Sequence, residues 1–141
     1  MLQTIHSYWA YLVLVFLTIA TFNALYKFLT DKPYVGKDFS LALTAFILMH
    51  IQLLLGIILF FSKGYFDELS IGEIMKTPAL RRLVIEHPTT MIIAVVLLTI
   101  GYSKHKKKLV SRPKFKLLAI FYSLALVLIL TMIPWKTWLG I

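Results

Sequence analysis

Residues 39–62 read FSLALTAFILMHIQLLLGIILFFS, a run of 24 residues without a single Asp, Glu, Lys or Arg. A helix needs roughly 20 apolar residues to cross the hydrocarbon core of a bilayer, which is about 30 Å thick. The run does not alternate between apolar and polar residues as a half-buried strand would. Inside a bilayer its backbone groups must be satisfied within a helix. The stretch therefore predicts a transmembrane helix, with His50 near its middle.

Three further uncharged runs occupy much of the remaining chain, at residues 1–26, 87–103 and 117–135. The run at 87–103 is short, but only Arg81 and Arg82 interrupt the apolar residues before it, and arginines near a helix end can extend to the membrane surface. The fold class predicted is therefore all-α and integral to the membrane, a four-helix up-and-down bundle forming one domain over residues 1–141. The four spans are expected near residues 5–27, 39–62, 78–103 and 115–135.

The composition excludes several classes of protein. The 141 residues are 60% hydrophobic and only 15% charged, whereas a soluble domain has about a quarter of its residues charged. The absence of cysteine from the sequence excludes a disulfide scaffold, a thiolate zinc site, an iron–sulfur cluster and a thiol nucleophile. The sequence also lacks a glycine-rich phosphate loop, a nucleophile elbow and an HExxH motif.

The basic residues predict the orientation of the bundle. Seven of the 15 lie in residues 103–116, where no acid occurs, and the gap at 27–38 holds three lysines against two aspartates. Because loops rich in Lys and Arg stay in the cytoplasm, we expect both termini and residues 63–86 on the outer, periplasmic side of a bacterial inner membrane. The basic loop lacks interleaved aromatic residues for base stacking, so lipid phosphates rather than nucleic acid are its expected partners.

Histidines are the residues most able to carry chemistry in this chain. His6, His50 and His87 lie on the predicted spans, and His105 lies in the basic loop, where we expect it to be solvated. An ionisable group inside a membrane is costly and indicates a functional site. Imidazoles are good axial ligands of haem iron, and a four-helix bundle can hold a haem between facing helices. The alternative is that the histidines only join helices by hydrogen bonds.

Two pairs of histidines could ligate one iron. A rise of 1.5 Å per residue places His6, His50 and His87 about 30, 16 and 24 Å from the inner face. Both the His6–His87 pair and the His50–His87 pair are compatible with these depths. The first is slightly favoured because spans one and three lie diagonally across an up-and-down bundle.

Charged residues near His87 could support the site. Arg81 and Arg82 are expected close to the outer surface, where haem propionates need cationic partners. Their alternative role is as membrane anchors. Glu86 points about 100° away from its neighbour His87 on a helix, so it is expected to orient another imidazole or to pair with Arg82 or Lys63.

Several short motifs together carry a resemblance to a known family. They are His6-Ser7, Lys32-Pro33-Tyr34, Met49 to Gly56, Glu86-His87, Met91, Ile100-Gly101 and Ile133-Pro134-Trp135. On these residues the chain resembles the small four-span membrane proteins of Bacteroidetes labelled "cytochrome B". The resemblance implies a b-type haem bundle, with His6, His50 and His87 on the histidine positions of that family. Ala10 and Tyr11 stand where the family is expected to have an arginine.

The leading functional hypothesis is a haem-b-binding membrane protein that transfers electrons near a quinone or a respiratory partner, alone or as a homo-oligomer. A second hypothesis is a site for a bare metal ion or a small substrate lined by His6, His50, His87 and Glu86. A third is a cofactor-free accessory or scaffold subunit. Whether the chain is an enzyme stays open at this point.

Overall fold

The computed structural model describes residues 1–139. Over that range the chain is helical and contains no strand. Four helices are long and apolar enough to cross a membrane, which confirms the all-α, four-helix part of the predicted fold class. These spans cover Leu2–Leu29, Gly36–Glu68, Pro78–Lys107 and Ser111–Met132.

The helices are numbered along the chain. The long helices are α1 (Leu2–Leu29), α2 (Gly36–Lys63), α6 (His87–Lys107) and α7 (Ser111–Met132). The short helices are α3 (Tyr65–Glu68), α4 (Ile71–Lys76), α5 (Pro78–Arg81) and α8 (Trp135–Leu139). Helix α7 ends three residues before the predicted limit because Ile133 precedes Pro134, and a residue before proline is driven into extended backbone.

The four long helices pack as neighbours in an up-and-down square. Helix α1 packs against α2 and α7, and α6 packs against α7 and α2, so α1 and α6 lie on one diagonal. Alanines at the contacts let the backbones approach closely, as in membrane bundles generally. The buried alanines are Ala20, Ala24, Ala42, Ala45, Ala94, Ala119 and Ala125. The Tyr122 hydroxyl crosses the other diagonal and donates to the Ala42 carbonyl at 2.8 Å.

Large apolar side chains cover the outside of the bundle. Phe22, Phe61 and Val127 are more than half exposed on α1, α2 and α7. In water such a surface would aggregate, whereas in a bilayer it meets lipid chains. The exposed apolar exterior therefore agrees with a multi-pass membrane protein.

The third span is irregular next to His87. Thr77 stands at the N-cap position and Pro78 occupies the first helical position, where its missing N–H costs nothing. A π-helical turn then covers Arg82–Glu86, and the His87 N–H bonds to the Arg82 carbonyl. Pro88 has no N–H to offer the Val84 carbonyl, so the regular α pattern cannot continue through this point. Turns of this kind often occur at functional sites.

The bundle has two chemically different ends. The terminal end contains the start of α1, residues 63–87 and the end of α7, and it includes a capping box formed by Ser70 and Glu73 at the start of α4. The basic end contains the α1–α2 loop and the α6–α7 loop, which meet where the Tyr34 N–H donates to the Ser111 hydroxyl at 2.8 Å.

Candidate functional site

His87 is oriented by the end of α7. Its Nδ1 lies 2.9 Å from the Met132 carbonyl oxygen. Because a carbonyl can only accept, Nδ1 carries the hydrogen and Nε2 keeps a lone pair in the neutral ring. No partner for that Nε2 occurs among residues 1–139. A histidine held through one ring nitrogen, with the other available, has the arrangement of a metal-ligating imidazole.

His6 packs into the seam between α1 and α2. A Cβ placed on Gly56 would lie 3.1 Å from Cε1 of His6, so the ring sits where any other residue would project its side chain. The Gln52 side chain donates from Nε2 to the His6 carbonyl at 2.9 Å. Within residues 1–139, the buried Nδ1 of His6 has no hydrogen-bond partner. The ring is thus confined by packing rather than by hydrogen bonds.

His6 and His87 lie at the same end of the bundle, on helices at opposite corners of the square. They stand near the start of the diagonal helices α1 and α6. Both side chains are half-buried at the terminal end. The structure therefore brings these two predicted ligands to the same end of the bundle.

His50 lies elsewhere, and both of its ring nitrogens have partners. Nδ1 lies 2.7 Å from the Phe46 carbonyl, and Nε2 lies 3.1 Å from the Thr99 hydroxyl on α6. Thr99 is 12 residues from His87 along the chain, a rise of about 18 Å. His50 is therefore far from His87 and serves to join α2 to α6.

The charged residues near His87 bond mainly to one another. Nε of Arg81 lies 2.9 Å from a Glu86 oxygen, and Nη1 of Arg81 lies 3.1 Å from the Met75 carbonyl oxygen. Arg82 donates from Nη2 to the Thr131 carbonyl at 2.8 Å and remains exposed. Glu86 thus pairs with Arg81, not with an imidazole or with Arg82 or Lys63 as expected. Lys63 bonds instead to Gln3.

The expectation that His105 is solvated is wrong. Its side chain is 0% exposed, with Nδ1 bonded to the Tyr102 carbonyl and Nε2 lying 2.9 Å from the Tyr34 hydroxyl. Because lysines flank His105 in the sequence, the charge pattern assigns it to the loop. It nevertheless continues the buried face of α6, on which Leu98, Gly101 and His105 recur at intervals of three and four residues. That periodicity is the signal that would have predicted the burial.

Tyr34 is the residue that closes the basic end. Its ring packs on Phe115, and the ammonium of Lys114 lies 4.8 Å from its ring centre. Burial, together with the charges of Asp38 and Tyr102, raises the pKa of Tyr34 to about 12. The neutral phenol is therefore the form that donates to His105.

Asp38 is buried beside Tyr34 and is 3% exposed. Each polar group that contacts its carboxylate donates a hydrogen bond to it. Lys27 lies 2.8 Å from its carboxylate, Asn23 donates at 2.9 Å, and the Val35 N–H donates at 2.8 Å. A buried carboxylate is tolerated only when it is paired in this way. The group caps α2 and ties it to α1, so its role is structural.

The terminal end thus offers two imidazoles on diagonal helices, while His50 and His105 are satisfied within the fold. Among residues 1–139, no group of three or more His, Asp or Glu side chains is arranged to hold a metal ion. Searches against models of protein families, curated proteins and solved structures find no match. What this site can do follows from its own donors and acceptors.

Proposed function

We propose that this chain is an integral membrane protein that binds haem b through His6 and His87 and transfers electrons near a quinone or a respiratory partner. The observation that carries the proposal is the state of these two rings. His87 is held through Nδ1 with Nε2 available, and His6 is confined against Gly56 with its buried Nδ1 unbonded in the described part of the chain.

The donor set fits a haem better than a bare metal ion. A protein site for a metal ion alone needs three or four side-chain donors, and residues 1–139 contain no such group. A haem needs only two axial donors from the protein because the porphyrin supplies the other four. When bound, haem b supplies a one-electron couple whose potential depends on axial ligation, burial and hydrogen bonding.

Arg82 is the better candidate to bind a haem propionate. The charge of Arg81 is compensated by Glu86, whereas Arg82 uses a single donor on a backbone carbonyl. A guanidinium has five N–H donors. Arg82 can therefore keep its bond to Thr131 and still pair with a carboxylate.

The proposal places the basic end in the cytoplasm and the terminal end in the periplasm of a bacterial inner membrane. Lys and Arg accumulate on cytoplasmic loops. The two aspartates at the basic end are each paired with a basic residue, Asp38 with Lys27 and Asp31 with Arg112, so the remaining lysines keep this end positively charged. The resemblance to the Bacteroidetes cytochrome B proteins belongs to the same proposal, because it implies the same cofactor.

An absorption spectrum tests the proposal directly. The protein is expressed with hemin supplied, purified in detergent without chelators, and examined for the Soret band and the reduced-minus-oxidised bands of low-spin haem. His6→Ala and His87→Ala should each reduce bound haem by about tenfold or more. His50→Ala is the matched control and should retain haem while losing stability. Folded, hemin-supplied wild type without a Soret band would refute the proposal.

A second candidate function is a cofactor-free membrane scaffold. Its favouring observation is that His50, His87 and His105 each bond to a different structural partner. On this alternative, wild type carries no haem and no metal by elemental analysis, and the His6→Ala and His87→Ala variants change only stability.

A further inference from the structure

Gln52 contacts His6 from the neighbouring helix. It lies one turn before Gly56 on α2, and its Nε2 donates to the His6 carbonyl at 2.9 Å. Because that carbonyl can only accept a hydrogen bond, the amide nitrogen must face it. The amide oxygen is thereby turned away from the carbonyl, and it is buried without a partner in residues 1–139.

The unpartnered Oε1 of Gln52 accompanies the unpartnered Nδ1 of His6. Three buried side-chain atoms lack a partner in the described residues, and two of them belong to this one seam. The oxygen can only accept and the ring nitrogen can donate, so each supplies what the other lacks. Gly56 lets the ring pack directly against α2, one turn from Gln52, because a Cβ at that position would lie only 3.1 Å from Cε1 of His6.

We propose that Gln52 is the positioning residue for His6, with its Oε1 accepting the Nδ1–H hydrogen directly or through one water. This inference rests on the proposed function, in which His6 ligates iron through Nε2. Axial histidines almost always donate their other N–H to an oxygen, which fixes the tautomer and increases the basicity of the ligand. His87 has the Met132 carbonyl for this purpose, and Gln52 would serve His6 in the same way.

Replacement of Gln52 tests the inference by affinity for hemin and by reduction potential, neither of which depends on activity. Gln52→Leu removes the acceptor and should weaken hemin binding about 10–100-fold and raise the potential. Gln52→Glu provides a stronger acceptor and should lower the potential, because a more basic imidazole stabilises ferric iron. Gln3→Leu is the matched control, since Gln3 is an exposed glutamine bonded to Lys63. It should leave both quantities unchanged.

The outcomes separate this inference from the function on which it rests. If wild type binds no haem, both fall. If wild type binds haem while both Gln52 variants match Gln3→Leu in affinity and potential, the role of Gln52 alone is overturned. Helix content and gel filtration establish that each variant is folded, and if Gln52→Leu does not fold, the sign of the potential shift in Gln52→Glu decides.

Discussion

Removal of a single oxygen, in Tyr34→Phe, should destabilise the basic end of the bundle. The Tyr34 hydroxyl donates to Nε2 of His105 at 2.9 Å, and His105 is 0% exposed. The substitution keeps the ring on Phe115 and the backbone bond to Ser111. What is lost is one hydrogen bond, and a buried ring nitrogen is left unpaired. That loss costs about 1–3 kcal/mol of the free energy of unfolding.

The free energy is measured by titrating SDS into detergent-solubilised protein and following tryptophan fluorescence. Tyr26→Phe is the matched control, because Tyr26 is 52% exposed. It should change stability by less than about 0.5 kcal/mol. A double-mutant cycle with His105→Phe should give a coupling energy of about 0.5–3 kcal/mol. If Tyr34→Phe is as mild as Tyr26→Phe, the hydrogen bond does not stabilise the fold.

Three further outcomes follow from the same structure. Folding raises the pKa of Tyr34 to about 12. The hydrogen bond from its neutral hydroxyl therefore contributes fully to the free energy of unfolding below pH 10, and this contribution is lost as the pH rises through 12. The stability difference between wild type and Tyr34→Phe should therefore shrink over that interval in SDS titrations at stepped pH. Gly101→Ala puts a methyl group against Cβ of Phe121 and should cost about 1–3 kcal/mol, while Gly36→Ala, with nothing within 4 Å, should not. Thr99→Val leaves Nε2 of His50 unpaired and should cost about 1–3 kcal/mol without altering bound haem, which absorbance per mole of protein checks.

Local chemistry was sufficient to predict the spans. The charge-free runs identified four helices, with the third expected to begin near residue 78, where the structure has Pro78 at its first helical position. These features depend on backbone and solvation rules that act within a few residues. Each could be inferred without knowing which helix lies beside which.

The partners of the histidines could not be predicted in this way. His105 lies among lysines in the sequence, yet the rotation of α6 turns it inward onto Tyr34, 71 residues away. Glu86 bonds to Arg81 because the π-helical turn lies between them. A small rotation or shift of one helix changes which of its side chains meet a neighbouring helix. The local sequence pattern does not predict that alignment.

The sequence by itself determined four helices long and apolar enough to cross a membrane, because a bilayer accepts only long uncharged helices and the charges leave four such runs. Only the tertiary structure decided that His6 and His87 share one end while His50 and His105 are hydrogen-bonded elsewhere in the bundle. The physical reason is that the two effects depend on different parts of the molecule. Burial in lipid is a property of each segment alone, whereas a hydrogen bond requires two segments to be aligned to within about 3 Å.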